Sequence, residues 1–198
     1  MKYPIYHYEI KQGSPEWFEI RQGKLTGSHG QAIATNCKGL DTYITSILAE
    51  KYSSAEPVNY TNEDMERGND LENIARSLYG LTVDKSVEEV GFIEYNKYVG
   101  TSPDGLVDKD GLIEIKCMND QKHAELLLFE KIDTKYVWQM QMNLLVSGRK
   151  FIDFIGFNPN FKKDLFIKRF YPDEKAFEKL KQGFKSGEDK IKKLSKKL

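Results

Sequence analysis

The sequence predicts an α/β (α+β) fold in which a central mixed β-sheet is flanked by helices. Apolar residues at helical spacing occupy the first third of the 198-residue chain and its last segment. Segments rich in Val and Ile, which are typical of strands, occupy the middle. Another helical stretch separates two groups of strands. The elements therefore do not alternate regularly, and a mixed sheet is expected.

Four helices are expected before the first strand. Ser14 caps the first, Pro15 suits its first turn, and Gly23 follows its end at about residue 22. The other three are expected to begin near Gly27, Asp41 and Thr61, and the last of them to stop at Gly80. Asp and Thr are both favoured N-caps, which is why these positions are chosen.

Strands and helices follow in turn along the rest of the chain. Strands are expected over residues 87–95, 99–107, 112–117, 151–157 and 164–170. Asp110-Gly111 is a hairpin signal between the second and third of them. Helices are expected over residues 119–130 and 135–147, and a long one from Pro172-Asp173 onward.

The composition indicates one domain spanning residues 1–198. A chain of this length buries about 70% of its unfolded surface. Cys37 and Cys117 are too few for a disulfide framework or a zinc site. Thirty basic residues balance thirty acidic ones, which argues against a purely electrostatic nucleic-acid binder. No apolar run approaches the ~20 residues of a membrane span, so we expect a cytoplasmic protein without a membrane partner.

Charge is unevenly distributed along the chain. Residues 60–114 contain thirteen acidic and five basic residues, whereas residues 175–198 contain nine lysines and three acidic residues. An acidic segment can collect metal ions and a basic one can contact phosphates. Solvated helix faces are the alternative explanation for both segments.

The segment from Ser102 to Lys116 carries the strongest chemical signal. In a hairpin, Glu114 and Lys116 point to the same face of one strand, while Ile115 points into apolar packing. Asp104 precedes the other strand. Two carboxylates and an ammonium then converge, and hard oxygen ligands suit Mg²⁺ or Mn²⁺. An exposed Glu-x-Lys edge strand is the alternative.

This hairpin resembles the motif of the PD-(D/E)-x-K nuclease superfamily, whose core is restriction-endonuclease-like. Further segments appear in a fixed order: Arg21 to Ser28, Arg67-Gly68-Asn69-Asp70-Leu71-Glu72, Ser102-Pro103-Asp104-Gly105, Glu114-Ile115-Lys116-Cys117 and Trp138-Gln139-Met140-Gln141. From about residue 12 to 158, the series resembles the YqaJ-like phage recombination exonucleases, the lambda exonuclease-like family.

The resemblance implies a catalytic set. Asp104 and Glu114 match the Mg²⁺ ligands of the family, and the carbonyl of Ile115 is a further oxygen ligand. Lys116 matches the lysine that orients or activates the attacking water. Glu72 matches a helical glutamate that faces the metal site, either through water or at a second ion. A solvated helix carboxylate is the alternative for this residue.

Other positions match residues of the family that contact DNA or support the lysine. The residues that match its 5′-phosphate pocket are Arg21, Ser28 and Ser102. Gln139 matches a helical glutamine beside the lysine, and the role of Gln141 stays open. Met65 matches an apolar residue that wedges between the strands of the duplex, with a place in the core as the alternative.

Taken together, the resemblance implies an Mg²⁺-dependent exonuclease, with Mn²⁺ as a substitute and two ions in the site. It would degrade one strand of linear double-stranded DNA 5′→3′, release 5′-mononucleotides and leave a 3′ overhang for a single-strand annealing recombinase. The family further implies a homotrimer ring and a phage or prophage protein in the bacterial cytoplasm. A structure-specific or repair endonuclease and a non-catalytic DNA-binding module are the alternatives.

Overall fold

A computed structural model describes residues 4–54 and 63–198. The α-helices in these ranges are α1 (Pro15–Arg21), α2 (Gly30–Thr35), α3 (Lys38–Tyr52), α4 (Glu63–Val83), α5 (Asp120–Phe129), α6 (Thr134–Ser147) and α7 (Glu174–Leu194). Short 3-10 helices cover Gly27–His29 and Ser195–Lys197. No helix within the described ranges is both long enough and apolar enough to cross a membrane.

The strands of the described residues form two sheets. They are β1 (Ile5–His7), β2 (Leu25–Thr26), β3 (Val87–Glu88), β4 (Phe92–Asn96), β5 (Val99–Thr101), β6 (Gly105–Val107), β7 (Gly111–Cys117), β8 (Phe151–Phe157) and β9 (Leu165–Phe170). One sheet has the order β1-β4-β5-β2 and the other β3-β6-β7-β8-β9. In the larger sheet β7 and β8 are parallel and the other pairs antiparallel. The predicted mixed α/β fold is confirmed, with two sheets where one was expected.

Two of the expected strands each contribute to both sheets. Residues 87–95 divide into β3 and β4, and residues 99–107 divide into β5 and β6. Pro103 has no N–H to donate to a ladder, which accounts for the second break. As a result, a loop over residues 102–104 crosses from one sheet to the other and carries Asp104 at its end.

Two helix boundaries differ from the prediction. Asp41 lies in the first turn of α3, which begins at Lys38, so it does not cap that helix. Helix α4 continues past Gly80 because Ala75 and Tyr79 in its preceding turn are fully buried, and packing outweighs the low helix propensity of glycine. Thr61, the expected cap of α4, lies outside the described residues.

The turn between β6 and β7 is one residue longer than a two-residue hairpin. Gly111 is already part of β7 and pairs with Val107. The turn is formed by residues 108–110, with Asp108 in the left-handed region at a φ of 45°. Asp tolerates this conformation better than most residues, so the turn does not need the glycine that the sequence suggested.

The larger sheet is covered on both faces. Ile113 and Ile115 of β7 pack with residues of α4 on one face. Leu112 of β7 and Phe154 of β8 belong to the larger cluster that includes residues of α2, α3, α6 and α7. Since side chains alternate along a strand, Glu114 lies on the second face, beneath α6.

Helix α7 is amphipathic. Its inward positions, among them Leu180, Phe184 and Ile191, are buried, and most of its lysines are exposed. Lys190 forms an ion pair with Asp41 of α3 at 2.5 Å. The basic end of the chain is thus the outward face of a packed helix.

Candidate active site

The predicted carboxylates and lysine converge at the carboxyl end of β7. Lys116 Nζ lies 2.6 Å from Glu114 Oε1. Oδ2 of Asp104 accepts a hydrogen bond of 2.6 Å from the backbone N–H of Ile115, and the N–H of Asp104 donates to the carbonyl of Ile113 at 3.1 Å. The alternation of β7 and these two backbone bonds fix the three side chains at one place, as the spacing predicted.

Glu114 is a buried carboxylate with one amide and one ammonium partner. Its side chain is 0% exposed, and Asn143 Nδ2 donates to its Oε2 at 3.0 Å. The ammonium of Lys116, 2.6 Å from Oε1, is the partner of the other carboxylate oxygen. The pKa of Glu114 is raised to about 7. Burial is the largest cause, Lys116 lowers the pKa, and the charge of Asp104 raises it.

The pKa values of Asp104 and Lys116 are both raised, but burial acts on them in opposite directions. Burial raises the pKa of Asp104, opposed by Lys116 and by the hydrogen bond from Ile115. Burial opposes the positive charge of Lys116, but Glu114 and Asp104 outweigh it and raise the pKa of the lysine above its usual range. The pair of carboxylates thus holds Lys116 firmly as an ammonium ion.

Glu72 of α4 is the third carboxylate of the site. Arg76, one turn further along the helix, contacts Glu72 Oε1 through Nη2 at 2.7 Å. Its Nε donates to the carbonyl of Asp104 at 2.8 Å. Burial and the charge of Asp104 raise the pKa of Glu72 to about 7, against the opposite effects of Arg76 and Lys116. Arg76 therefore ties α4 to the Asp104 loop. The motifs assigned no role to Arg76, although its i, i+4 spacing from Glu72 is visible in the sequence.

The donor set fits a hard divalent cation at Asp104 and Glu114. No group of three or more His, Cys, Asp or Glu side chains is arranged to hold a metal ion among the described residues. The candidate ligands are therefore two carboxylates and a backbone oxygen. The N–H of Ile115 points to Asp104, and its carbonyl lies on the same edge of β7. Asn143 donates to Glu114 Oε2, so Oε1, which lies beside Lys116 at the end of β7, is the oxygen open to a cation.

Asn143 and Thr101 form a chain of hydrogen bonds that ends at Glu114. Neither residue was among the sequence-based candidates. The hydroxyl of Thr101 donates to Asn143 Oδ1, which leaves the amide N–H₂ of Asn143 to donate to Glu114. Both residues are buried. Gly27 closes over them: a Cβ there would lie 2.6 Å from Thr101 Oγ1 and 2.8 Å from Asn143 Oδ1. Only the fold brings β5, β7 and α6 together at this point.

A second cluster contains two of the three predicted phosphate-binding residues. Arg21 Nη1 donates to Ser102 Oγ at 3.3 Å, and its guanidinium lies 4.0 Å above the ring of Trp17. Trp17 Nε1 also donates to Ser102 Oγ, at 2.9 Å. Burial lowers the pKa of Arg21. No carboxylate forms an ion pair with Arg21 in the described ranges, so its charge is available to an anion.

Ser28, the third predicted phosphate-binding residue, is exposed in the 3-10 helix before α2. Its Oγ lies 3.2 Å from Nδ1 of His29, whose ring stacks on Tyr43 with centroids 3.7 Å apart. Burial and the charge of Arg21 lower the pKa of His29. Ser28 therefore contacts His29, which feels the charge of Arg21, but makes no hydrogen bond to Arg21 in the described structure. His29 had no role at the level of sequence.

The two glutamines of α6 differ in their surroundings. Gln139 is half-buried beside Gly27, 3.7 Å from the position a Cβ would take there, and makes no hydrogen bond in the described structure. Gln141 is buried, donates to the carbonyl of Tyr171 at 2.9 Å and accepts from the N–H of Asp173 at 2.9 Å. Gln141 therefore joins α6 to the start of α7. The side chain of Met65 lies outside the described part of the chain.

Solved structures of two exonucleases share this fold. An alkaline exonuclease from Laribacter hongkongensis, LHK-Exo, is 30% identical to this chain, with a TM-score of 0.79 over 93% of this chain and 97% of the other. The same enzyme in complex with dAMP gives a TM-score of 0.82 over the same shares, also at 30% identity. A phage-related exonuclease from Haemophilus somnus 129PT is 16% identical, covers 88% of this chain and 96% of that one, and shares the fold with a TM-score of 0.61.

Fold and relatives place the chain in the class of alkaline exonuclease-like proteins. The model of the YqaJ-like viral recombinase domain matches residues 16–150. The chain belongs to the YqaJ-like viral recombinase family, as its motifs indicated. No curated protein matches it.

Proposed function

We propose that this protein is an Mg²⁺-dependent exonuclease that degrades one strand of linear double-stranded DNA 5′→3′ and releases 5′-mononucleotides. The observation that carries the proposal is the convergence of Asp104, the buried Glu114 carboxylate and Lys116, whose ammonium lies 2.6 Å from Glu114 Oε1. The relative that binds dAMP agrees with a nucleotide product. The remaining strand would be a 3′ overhang.

The residues of the site have separable tasks in this reaction. Asp104, Glu114 and the carbonyl of Ile115 would hold the metal, which when bound lowers the pKa of an attacking water and stabilises the departing oxygen. Lys116 presents an ammonium that orients this water and balances charge developing on the phosphate. Glu72 faces the same site from α4 and is available to a second ion or to a bridging water.

Arg21 and Ser102 favour an enzyme that starts at DNA ends. A guanidinium with no carboxylate partner binds a terminal phosphate in a bidentate, charge-assisted way. An endonuclease does not need a pocket for a terminal 5′-phosphate. The endonuclease alternative therefore lacks an observation of its own, and the complete set of Asp104, Glu114 and Lys116 disfavours a non-catalytic DNA-binding module.

We also propose two interactions with other protein chains, both of which membership of the family implies. The first is a homotrimer that encloses DNA, since a chain with no net charge gains little non-specific affinity from phosphate contacts alone. The second is a single-strand annealing recombinase that takes over the 3′ overhang. Light scattering tests the first: a stable monomer of 22.9 kDa with distributive cutting would contradict the ring.

A panel of DNA substrates tests the reaction. Linear duplex labelled at its 5′ end, the same duplex labelled at its 3′ end, and covalently closed circular duplex are each incubated with Mg²⁺, Mn²⁺ or EDTA. We expect labelled mononucleotides from the 5′ end only, with no product from the circle or in EDTA. Cleavage of the circle would favour an endonuclease, and release from the 3′ end would reverse the polarity.

Substitution of Arg21 tests the terminal-phosphate pocket. The parent should prefer 5′-phosphorylated over 5′-hydroxyl ends, and Arg21→Ala should lose most of this preference, because a charge-assisted contact is worth roughly 1.5–3 kcal/mol. Arg21→Lys keeps the charge without the planar fork and should fall between the two. Initial rates on the two ends measure the ratio. Equal rates in the parent would contradict the pocket.

A further inference from the structure

A cleft between α5 and α6 opens beside the carboxyl end of β7. It encloses about 530 Å³, and Lys116 is one of its lining residues. Leu71, which precedes Glu72 on α4, is another. The floor is apolar and includes Leu126 and Phe154. The cleft therefore shares a wall with the candidate active site but extends away from its carboxylates.

The rim of this cleft is basic. Besides Lys116, it carries Lys122, Lys131 and Lys135, against two acidic residues, Glu125 and Asp133. Lys122 and Lys131 form no ion pair within the described ranges. The ion pair of Lys135 with Asp133 is 3.6 Å long, and both side chains are about half exposed, so it competes weakly for the lysine. The carboxylates of the candidate active site therefore adjoin a positively charged cleft.

Tyr136 provides an aromatic surface inside the cleft. Its ring lies 5.4 Å from Lys116 Nζ and 4.9 Å from Lys135 Nζ. Lysines around an aromatic ring and an apolar floor suit a nucleotide strand, because phosphates meet the cations while sugars and bases pack on the ring.

The order of the groups along β7 gives the direction of the strand. Ser102, with Arg21, adjoins Thr101, which reaches Glu114 through Asn143. Lys116 is two residues further along β7, and the cleft begins there. A strand whose terminal phosphate lies at Arg21 and whose first phosphodiester lies at Glu114 and Lys116 would continue into the cleft.

We infer that this cleft binds the segment of the substrate strand on the 3′ side of the phosphodiester that is cut, through the backbone phosphates of a polydeoxynucleotide. The inference rests on the proposed function and adds to it the path of the strand that has not yet been cut. An interface between copies of this chain, in which the lysines would contact a neighbouring subunit, is the competing occupant.

A triple variant tests the cleft against a matched control. Lys122→Ala/Lys131→Ala/Lys135→Ala removes three charges at the cleft, at the carboxyl end of β7. Lys85→Ala/Lys109→Ala/Lys150→Ala removes three charges near the opposite end of the strand, where Lys85 and Lys150 pair with exposed carboxylates. Binding to a 5′-phosphorylated duplex is measured in EDTA at several salt concentrations, so that no DNA is cut.

The salt dependence reports the number of phosphate contacts. Each lost contact lowers the slope of log K against log salt by about 0.7–0.9. We expect the cleft variant to lose about 2 units of slope, and the control to keep the slope of the parent. An unchanged slope in the cleft variant, or an equal loss in the control, would overturn the inference.

Photocrosslinking locates the strand. A 4-thiothymidine placed two to four nucleotides from the 5′ end should crosslink to the peptide over residues 117–136, whereas the same base in the complementary strand should not. Crosslinks elsewhere, or a triple variant that changes oligomeric state with the salt slope intact, would favour the subunit interface. Failure of the parent to cut any DNA would reject the proposed function, whereas cutting without these slopes and crosslinks rejects the cleft alone.

Discussion

Two buried carboxylates on neighbouring strands, Glu114 and Asp153, have different partners and different roles. Glu114 of β7 faces α6, while Asp153 of β8, which pairs in register with Ile113, faces α4. Both are almost completely buried. Asp153 accepts three hydrogen bonds, one from Tyr79 Oη at 2.6 Å and two from Arg169 at 2.8 Å. Glu114 accepts one hydrogen bond from Asn143 Nδ2, and its other oxygen contacts the ammonium of Lys116 at 2.6 Å.

The difference separates a structural charge from a functional one. Arg169 balances the charge of Asp153, Tyr79 donates a hydrogen bond to it, and the three residues join α4, β8 and β9. The bond to Asp153 raises the pKa of Arg169 above its usual range. Burial and then Asp153 raise the pKa of Tyr79. Burial raises the pKa of Glu114 to about 7, and its cationic partner Lys116 lines a cleft, a combination typical of groups that take part in chemistry. The cationic partner of Asp153, Arg169, does not line that cleft.

The largest expected effect is the loss of the ammonium beside Glu114. Lys116→Ala should lower the cleavage rate by about 10²–10⁴-fold, the range for loss of a group that aids proton transfer, while the affinity for DNA in EDTA stays near that of the parent. Lys150→Ala, which removes an exposed lysine paired with Asp110, is the control and should cut normally. Parental rates in Lys116→Ala would place the active site elsewhere.

The next effect concerns the support of Glu114. Asn143→Leu removes its hydrogen bond in a similar volume, and the Mg²⁺ concentration for half-maximal rate should rise by about 10–100-fold, because partners of metal ligands tune affinity. Calorimetric titration of Mg²⁺ gives a second readout. Thr101→Val should change both in the same direction by less. A loss of thermal stability with unchanged Mg²⁺ dependence would make Asn143 structural only.

Asp153 should show the reverse pattern. Asp153→Asn weakens the acceptor for the buried hydroxyl of Tyr79, and we expect a loss of about 1–3 kcal/mol in unfolding free energy. Arg169 contributes less to this cost, since its side chain is 43% exposed and can turn to solvent. Denaturant unfolding measures the change, and cleavage at low temperature should stay parental. Asp110→Asn, at an exposed ion pair, should change stability by less than about 1 kcal/mol.

The smallest effects distinguish the two glutamines of α6. Gln141→Ala removes two hydrogen bonds to the start of α7 and should lower stability by about 1–3 kcal/mol in total, with the rate unchanged. Gln139→Ala should lower the cleavage rate without a change in melting temperature, since its amide supports nothing in the described fold. Identical behaviour of the two variants in both assays would contradict this assignment.

The sequence by itself determined the local elements and the chemical motif. Ser14 caps α1 through a hydrogen bond to Trp17 N–H, as expected, because capping depends only on residues a few positions apart. The convergence of Glu114 and Lys116 follows in the same way from the two-residue period of a strand. Family membership rests on short motifs of this kind, and it too was predicted from the residues.

Only the tertiary structure decided which polar residues are partners. Arg76 and Asn143 lie 28 and 29 residues from the carboxylate-bearing positions that they contact, and no local period relates such distant residues. Division of two predicted strands between sheets likewise depends on pairing with strands far along the chain. Local geometry repeats with a fixed period and is readable from sequence, whereas the burial and hydrogen bonding of a charge depend on every element packed around it.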